Sequence, residues 1–142
     1  MNKFIEEKLY LGAGDINIIN VISQKNQILI FKSYLSNQKS SIAYDVYENP
    51  ETSHDLLRLQ KISSQNKNKI YGIIFYSLIQ LCYGKKIRLD LIEKFTKDGY
   101  KLIFFREDLI IKNLNDFKKQ KQKISLFMDN NIAIINKFKN IS

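Results

Sequence analysis

Residues Asn66–Lys86, NKNKIYGIIFYSLIQLCYGKK, set a dense apolar run between two lysine clusters. The run admits three readings: a membrane anchor, a cofactor-binding helix, or a core element. From Ile70 to Tyr83 it holds 14 residues. As a helix these reach about 21 Å, short of a hydrocarbon core of roughly 30 Å. Ser77 and Gln80 also interrupt it. An interfacial helix is apolar on one side only, whereas Ile70, Ile73, Ile74, Phe75, Leu78, Ile79, Leu81 and Cys82 cover most of a helical circumference. A helix apolar nearly all round is a buried one. The stretch therefore predicts a buried central helix near residues 67–83, closed by Gly84.

Upstream the pattern reads as β. DINIINVI (residues 15–22) alternates, QILIFKSYL (27–35) is rich in β-branched and aromatic residues, and SIAYDVYE (41–48) sets Ile42, Tyr44 and Val46 on one face. The joins between them are too short for a crossover, which predicts an antiparallel meander. Residues 4–11 add a strand or short helix before it.

Downstream, Pro50 ends the strand pattern, and Thr52 to Asp55 resembles a capping box opening a helix with Leu56, Leu57, Leu59 and Ile62. A helix over 88–97 stops at Asp98-Gly99, YKLIFF (100–105) returns as a strand, and residues 115–130 carry a narrow helical stripe. The expected fold class is α+β: an antiparallel three- to four-stranded sheet, the N-terminal meander, packed against three or four helices. Residues 1–142 form one domain, a size that buries a core without disulfides or metals.

Several chemistries find no support. One histidine, His54, and one cysteine, Cys82, make neither a disulfide framework nor a zinc or iron site. Cys82 lies in an apolar run, where a free thiol acts as a small hydrophobe. The LGAGDIN segment (11–17) lacks the third glycine of a dinucleotide fingerprint, and Gly84-Lys85-Lys86 continues into Ile87 rather than a P-loop hydroxyl. Short acid-x-Lys triplets at Glu6 and Asp116 lack the acid-bearing strand a metal-dependent nuclease needs. No cofactor is expected. The N-terminus has no apolar signal region, so a cytoplasmic protein is expected, or one inside an organelle if organelle-encoded.

The net charge is +9, but only three of the 23 basic residues are arginine, and 23 Ile, 20 Lys and 14 Asn point to AT-rich codons. Its distribution is more informative: residues 1–57 carry −2, 58–101 carry +7 and 102–142 carry +4. Two basic clusters follow, Lys85, Lys86 and Arg88, and Lys118, Lys119, Lys121 and Lys123. Both suit phosphate contact. The expectation is a non-catalytic regulatory protein that grips RNA or DNA through its basic two-thirds. The alternatives are a protein-interaction module, such as an inhibitor or adaptor with a protein partner, and a small enzyme built around His54.

Overall fold

The structure, a computed structural model, describes residues 7–15, 22–53, 55–83 and 86–130. In chain order these form β1 (Lys8–Asp15), α1 (Gln24–Ser36), β2 (Ser40–Glu48), α2 (Leu57–Gln65) and β3 (Gly72–Phe75). A 3-10 helix (Leu78–Leu81), β4 (Cys82–Tyr83), β5 (Lys86–Ile87) and α3 (Leu89–Lys97) come next. The last described elements are β6 (Lys101–Phe104), β7 (Leu109–Ile111), α4 (Leu114–Lys119) and α5 (Lys121–Asn130). The main sheet runs in the order β2-β1-β3-β6-β7. Its first four strands are parallel and β7 is antiparallel to β6. β4 and β5 form a separate two-residue ladder.

This corrects the expected antiparallel meander. The run at residues 27–35 is α1, and its buried residues Gln27, Ile28, Phe31 and Leu35 recur at helical spacing. Ser23 opens it by accepting from the Asn26 N–H at 3.2 Å, the usual role of an N-cap hydroxyl. The β-branched composition that suggests a strand is outweighed by that cap and by one face of contacts. Of the three meander strands only β2 takes its expected place, and residues 16–21 lie outside the described part. The short element that NIAIINKFKN (residues 131–140) suggests also lies outside it.

The central helix near 67–83 is corrected as well. Residues Gly72–Phe75 are a strand, all four buried, and the 3-10 helix follows after a break at Tyr76-Ser77. A central strand of a parallel sheet is covered on both faces and reads as a continuous apolar run, which periodicity alone does not separate from a buried helix. Gly72 decides the matter locally. A Cβ there would lie 2.4 Å from the Lys101 carbonyl oxygen and 2.6 Å from the Tyr10 ring, so β1 and β6 close on β3 only around a glycine.

Side chains alternate across the sheet. Tyr10, Ile74 and Ile103 pack with Ile28, Phe31 and Leu35 of α1 on one face. Leu11, Ile73, Phe75, Leu102 and Phe104 meet Leu59, Leu91, Ile92, Phe95, Phe117 and Ile124 on the other. Helices therefore cover both faces of a mostly parallel sheet, as crossover connections require. The expected helix at 88–97 and strand at 100–105 are present as α3 and β6, with Gly99 at φ +94° between them. No described helix is long and apolar enough to cross a membrane.

Candidate functional site at the carboxyl edge of the sheet

The chain leaves β1 through α1 to β2 on one side, while the other neighbour of β1 is β3. Such a divergence opens a crevice beyond the carboxyl ends of the strands, the usual ligand position in open α/β sheets. Buried polar side chains concentrate there: Asp15, Gln27, Glu48, Ser53, Ser77 and Gln80.

Asp15 ends β1. Its N–H donates to Gln27 Oε1 at 3.0 Å, and Gln27 Nε2 donates back to the Asp15 carbonyl at 3.1 Å. Ser53 Oγ donates to Asp15 Oδ1 at 2.8 Å. Glu48 ends β2 and accepts from the N–H groups of Arg58 and Leu59 at 3.1 and 2.9 Å. It thereby caps α2, whose first flanking residue, Leu56, has φ 50° and no capping side chain. The expected Thr52–Asp55 capping box is replaced by a turn in which Asn49 and Thr52 each donate a backbone N–H to the other's side chain. Burial pushes the Glu48 carboxyl above the usual glutamate range, although the Leu59 and Arg58 N–H groups pull the other way.

Across the crevice, Gln80 Nε2 donates to the Ala13 carbonyl at 2.8 Å, and its Oε1 accepts from the Tyr76 and Ser77 N–H groups. Ser77 Oγ donates to Glu107 Oε2, and the Leu78 N–H donates to Oε1, both at 2.8 Å. Burial raises the Glu107 carboxyl, against the two hydrogen bonds and nearby Arg106. Glu107 lines a cleft of about 260 Å³ with Leu78, Arg106, Leu109, Lys123 and Phe127.

Ser53 and Ser77 each donate a hydroxyl hydrogen bond to a carboxylate oxygen. Both serines are fully buried, so in this conformation the pairs lock loops onto the sheet. What the cleft offers a ligand is the exposed Arg106 and Lys123 beside Glu107.

The basic residues singled out from sequence are dispersed. Lys123 faces this cleft and donates to the Asp108 carbonyl at 2.7 Å. Lys118 and Lys121 line a second groove with Leu89, Phe117, Ile124 and Met128. Lys119 and Lys86 are exposed, on α4 and β5. Arg88 bridges the chain before α2 to the start of α3, donating to Asp55 at 2.7 Å and to both oxygens of Asp90. Lys85 and His54 lie outside the described residues. Cys82 is buried, its Sγ 3.9 Å from Met128 Sδ. Among the described residues, no three of His, Cys, Asp and Glu converge to hold a metal ion.

Sequence reasoning missed the Asp15–Ser53 and Ser77–Glu107 pairs, whose members lie 38 and 30 residues apart. The available signal was the polarity of Ser77 and Gln80 within an apolar run.

No protein-family model and no curated protein sequence matches the chain. Solved structures do. The N-terminal catalytic domain of TP901-1 integrase superposes with a TM-score of 0.65 at 15% identity, covering 89% of this chain and 98% of that one. A resolvase family site-specific recombinase from Streptococcus pneumoniae superposes at 0.61 with 12% identity, covering 91% and 97%. The protein thus shares the fold of recombinase domains over nearly its whole length. That likeness overturns the expectation of a non-catalytic regulatory protein, which rested on charge and on missing motifs.

Proposed function

We propose that the protein is a DNA-acting domain of the recombinase kind, with the carboxyl edge of its sheet as the working face. The observation that carries this reading is the near-complete superposition on two recombinase chains, one of them a catalytic domain. The edge supplies chemistry that fits. Arg106 and Lys123 flank an open cleft beside the β3 and β6 ends, and guanidinium and ammonium groups are the usual phosphate donors. Lys118, Lys119, Lys121 and Lys86 extend the basic surface, while Arg88, held between two aspartates, holds the scaffold together.

Two readouts test the proposal. Duplex DNA should bind at about 50 mM salt and weaken steeply towards about 200 mM, because each neutralised phosphate releases counterions. Supercoiled plasmid should be converted to nicked or relaxed circles by the full chain. Absence of duplex binding at the lower salt would overturn the DNA reading. Binding without any change in plasmid topology would overturn the strand-exchanging part.

A further inference from the structure

The opposite, amino edge of the sheet carries a second basic constellation, roughly 23 Å away along the eight residues of β1. Three adjacent parallel strands deliver it. Lys8 opens β1, Tyr71 immediately precedes β3, and Lys101 opens β6. The Lys8 ammonium lies 4.4 Å from the centre of the Tyr71 ring and the Lys101 ammonium 5.4 Å from it. Tyr71 is fixed in turn: buried Tyr10 meets it edge-on with ring centres 5.6 Å apart, and its N–H donates to the Leu9 carbonyl at 2.8 Å. The two cations are therefore held within about 10 Å of each other by one positioned ring.

A pocket of about 500 Å³ opens here, lined among others by Glu7, Lys8, Asn68, Lys69 and Tyr71. Among the described residues, Lys8, Lys69 and Lys101 form no ion pair with an acid. Nearby Asp98 is already taken by Lys67 at 3.3 Å and Lys94 at 3.8 Å. Lys8 and Lys69 thus line the pocket with Glu7 as its one acid, and Lys101 adds a third cation on the same Tyr71 ring. Like charges gathered on one ring repel, and an anion seated between them turns that repulsion into attraction. A ring partly open to solvent beside them adds a surface for a planar base.

We propose that the pocket lined by Lys8, Lys69 and Tyr71, with Lys101 beside the Tyr71 ring, is a phosphate-binding site, taking either a nucleic-acid backbone or the phosphates of a free nucleotide. It stands apart from the carboxyl-edge cleft and does not depend on it.

The test is a ¹H–¹⁵N NMR titration of the full chain, once with inorganic pyrophosphate and once with a short DNA duplex. The amides of Lys8, Lys69, Tyr71 and Lys101 are expected to shift together, and the Lys8→Gln/Lys101→Gln double variant should weaken that binding about tenfold or more. Shifts of these four amides, read apart from any at Arg106 and Lys123, separate this site from the proposed DNA edge. Shifts with pyrophosphate and duplex alike assign phosphate groups in general, and shifts with duplex alone assign the backbone. Silence of these amides with both probes, or undiminished binding in a folded double variant, overturns the site.

Discussion

Ser53 Oγ donates to Asp15 Oδ1 over 2.8 Å, tying the loop after β2 to the end of β1. Both residues are fully buried. A buried carboxylate deprived of one donor keeps its desolvation cost. Ser53→Ala is therefore expected to destabilise the fold by about 1–3 kcal/mol, read as a lower denaturant midpoint at constant slope. An unchanged midpoint would show that the hydroxyl contributes nothing to holding the loop.

Gly72→Ala tests the strand spacing. The new methyl would meet the Lys101 carbonyl oxygen, backbone that side-chain rotation does not move, and the buried Tyr10 ring. Overpacking of this kind costs about 2–3 kcal/mol, and a domain of this size loses about 2–4 °C of melting temperature per kcal/mol. Calorimetry should show a fall of roughly 4–12 °C. A fall under about 2 °C would mean that β1, β3 and β6 are not so closely packed.

How far the fold was legible depends on how each segment is covered. The α3–β6 unit reads correctly because Leu91, Ile92 and Phe95 keep a one-sided stripe and Asp98-Gly99 marks its stop. β3 does not, because Ile73 and Ile74 face opposite helical layers and both are fully buried. Burial on two sides erases the alternation by which a strand is recognised. Residues 27–35 mislead for a different reason: β-branched and aromatic composition favours strand, and the Ser23 cap with tertiary contact to β1 and β2 settles it as helix. The site was less legible still. Asp15, Ser53, Ser77 and Glu107 become partners only through strand order, and their types are unremarkable in isolation. The basic clusters were visible in the sequence, but of their described members Lys123 faces one groove, Lys118 and Lys121 line another, and Arg88 forms a scaffold bridge.

The Glu107 carboxyl gives the stability a pH signature. Burial raises its folded-state pKa above the ordinary glutamate value, so the folded chain holds this proton more tightly than the unfolded chain. The resulting stabilisation is complete below the unfolded value, about 4.3. It is lost as pH rises through the raised folded value. Asp90, lowered by its hydrogen bonds to Arg88, has the opposite trend, so the whole-protein profile mixes signs. Comparison with Glu107→Gln isolates the term. The glutamine keeps an acceptor for the Ser77 hydroxyl or the Leu78 N–H and carries no charge. Its stability relative to the parent should rise between about pH 4 and pH 7 in urea unfolding. A flat difference across that interval would remove Glu107 as the source.

The proposed carboxyl-edge contact with DNA has a quantitative form. Each lysine or arginine that neutralises a phosphate adds about 0.9 to the magnitude of the slope of log affinity against log salt. Arg106→Glu combined with Lys123→Glu removes the two cations flanking the Glu107 cleft. If both contact phosphate, the slope should shrink by about 2, with affinity falling similarly for unrelated duplex sequences. Reversal of Lys118, Lys119 and Lys121 provides the comparison, since Lys118 and Lys121 line the other groove. A smaller slope change there than for the cleft pair assigns the backbone path to the carboxyl edge. The reverse order moves it onto α4 and α5, and equal loss from both sets requires DNA to cross the two grooves together. An unaltered slope in every variant would leave the cleft cations without a phosphate to bind and overturn the assignment.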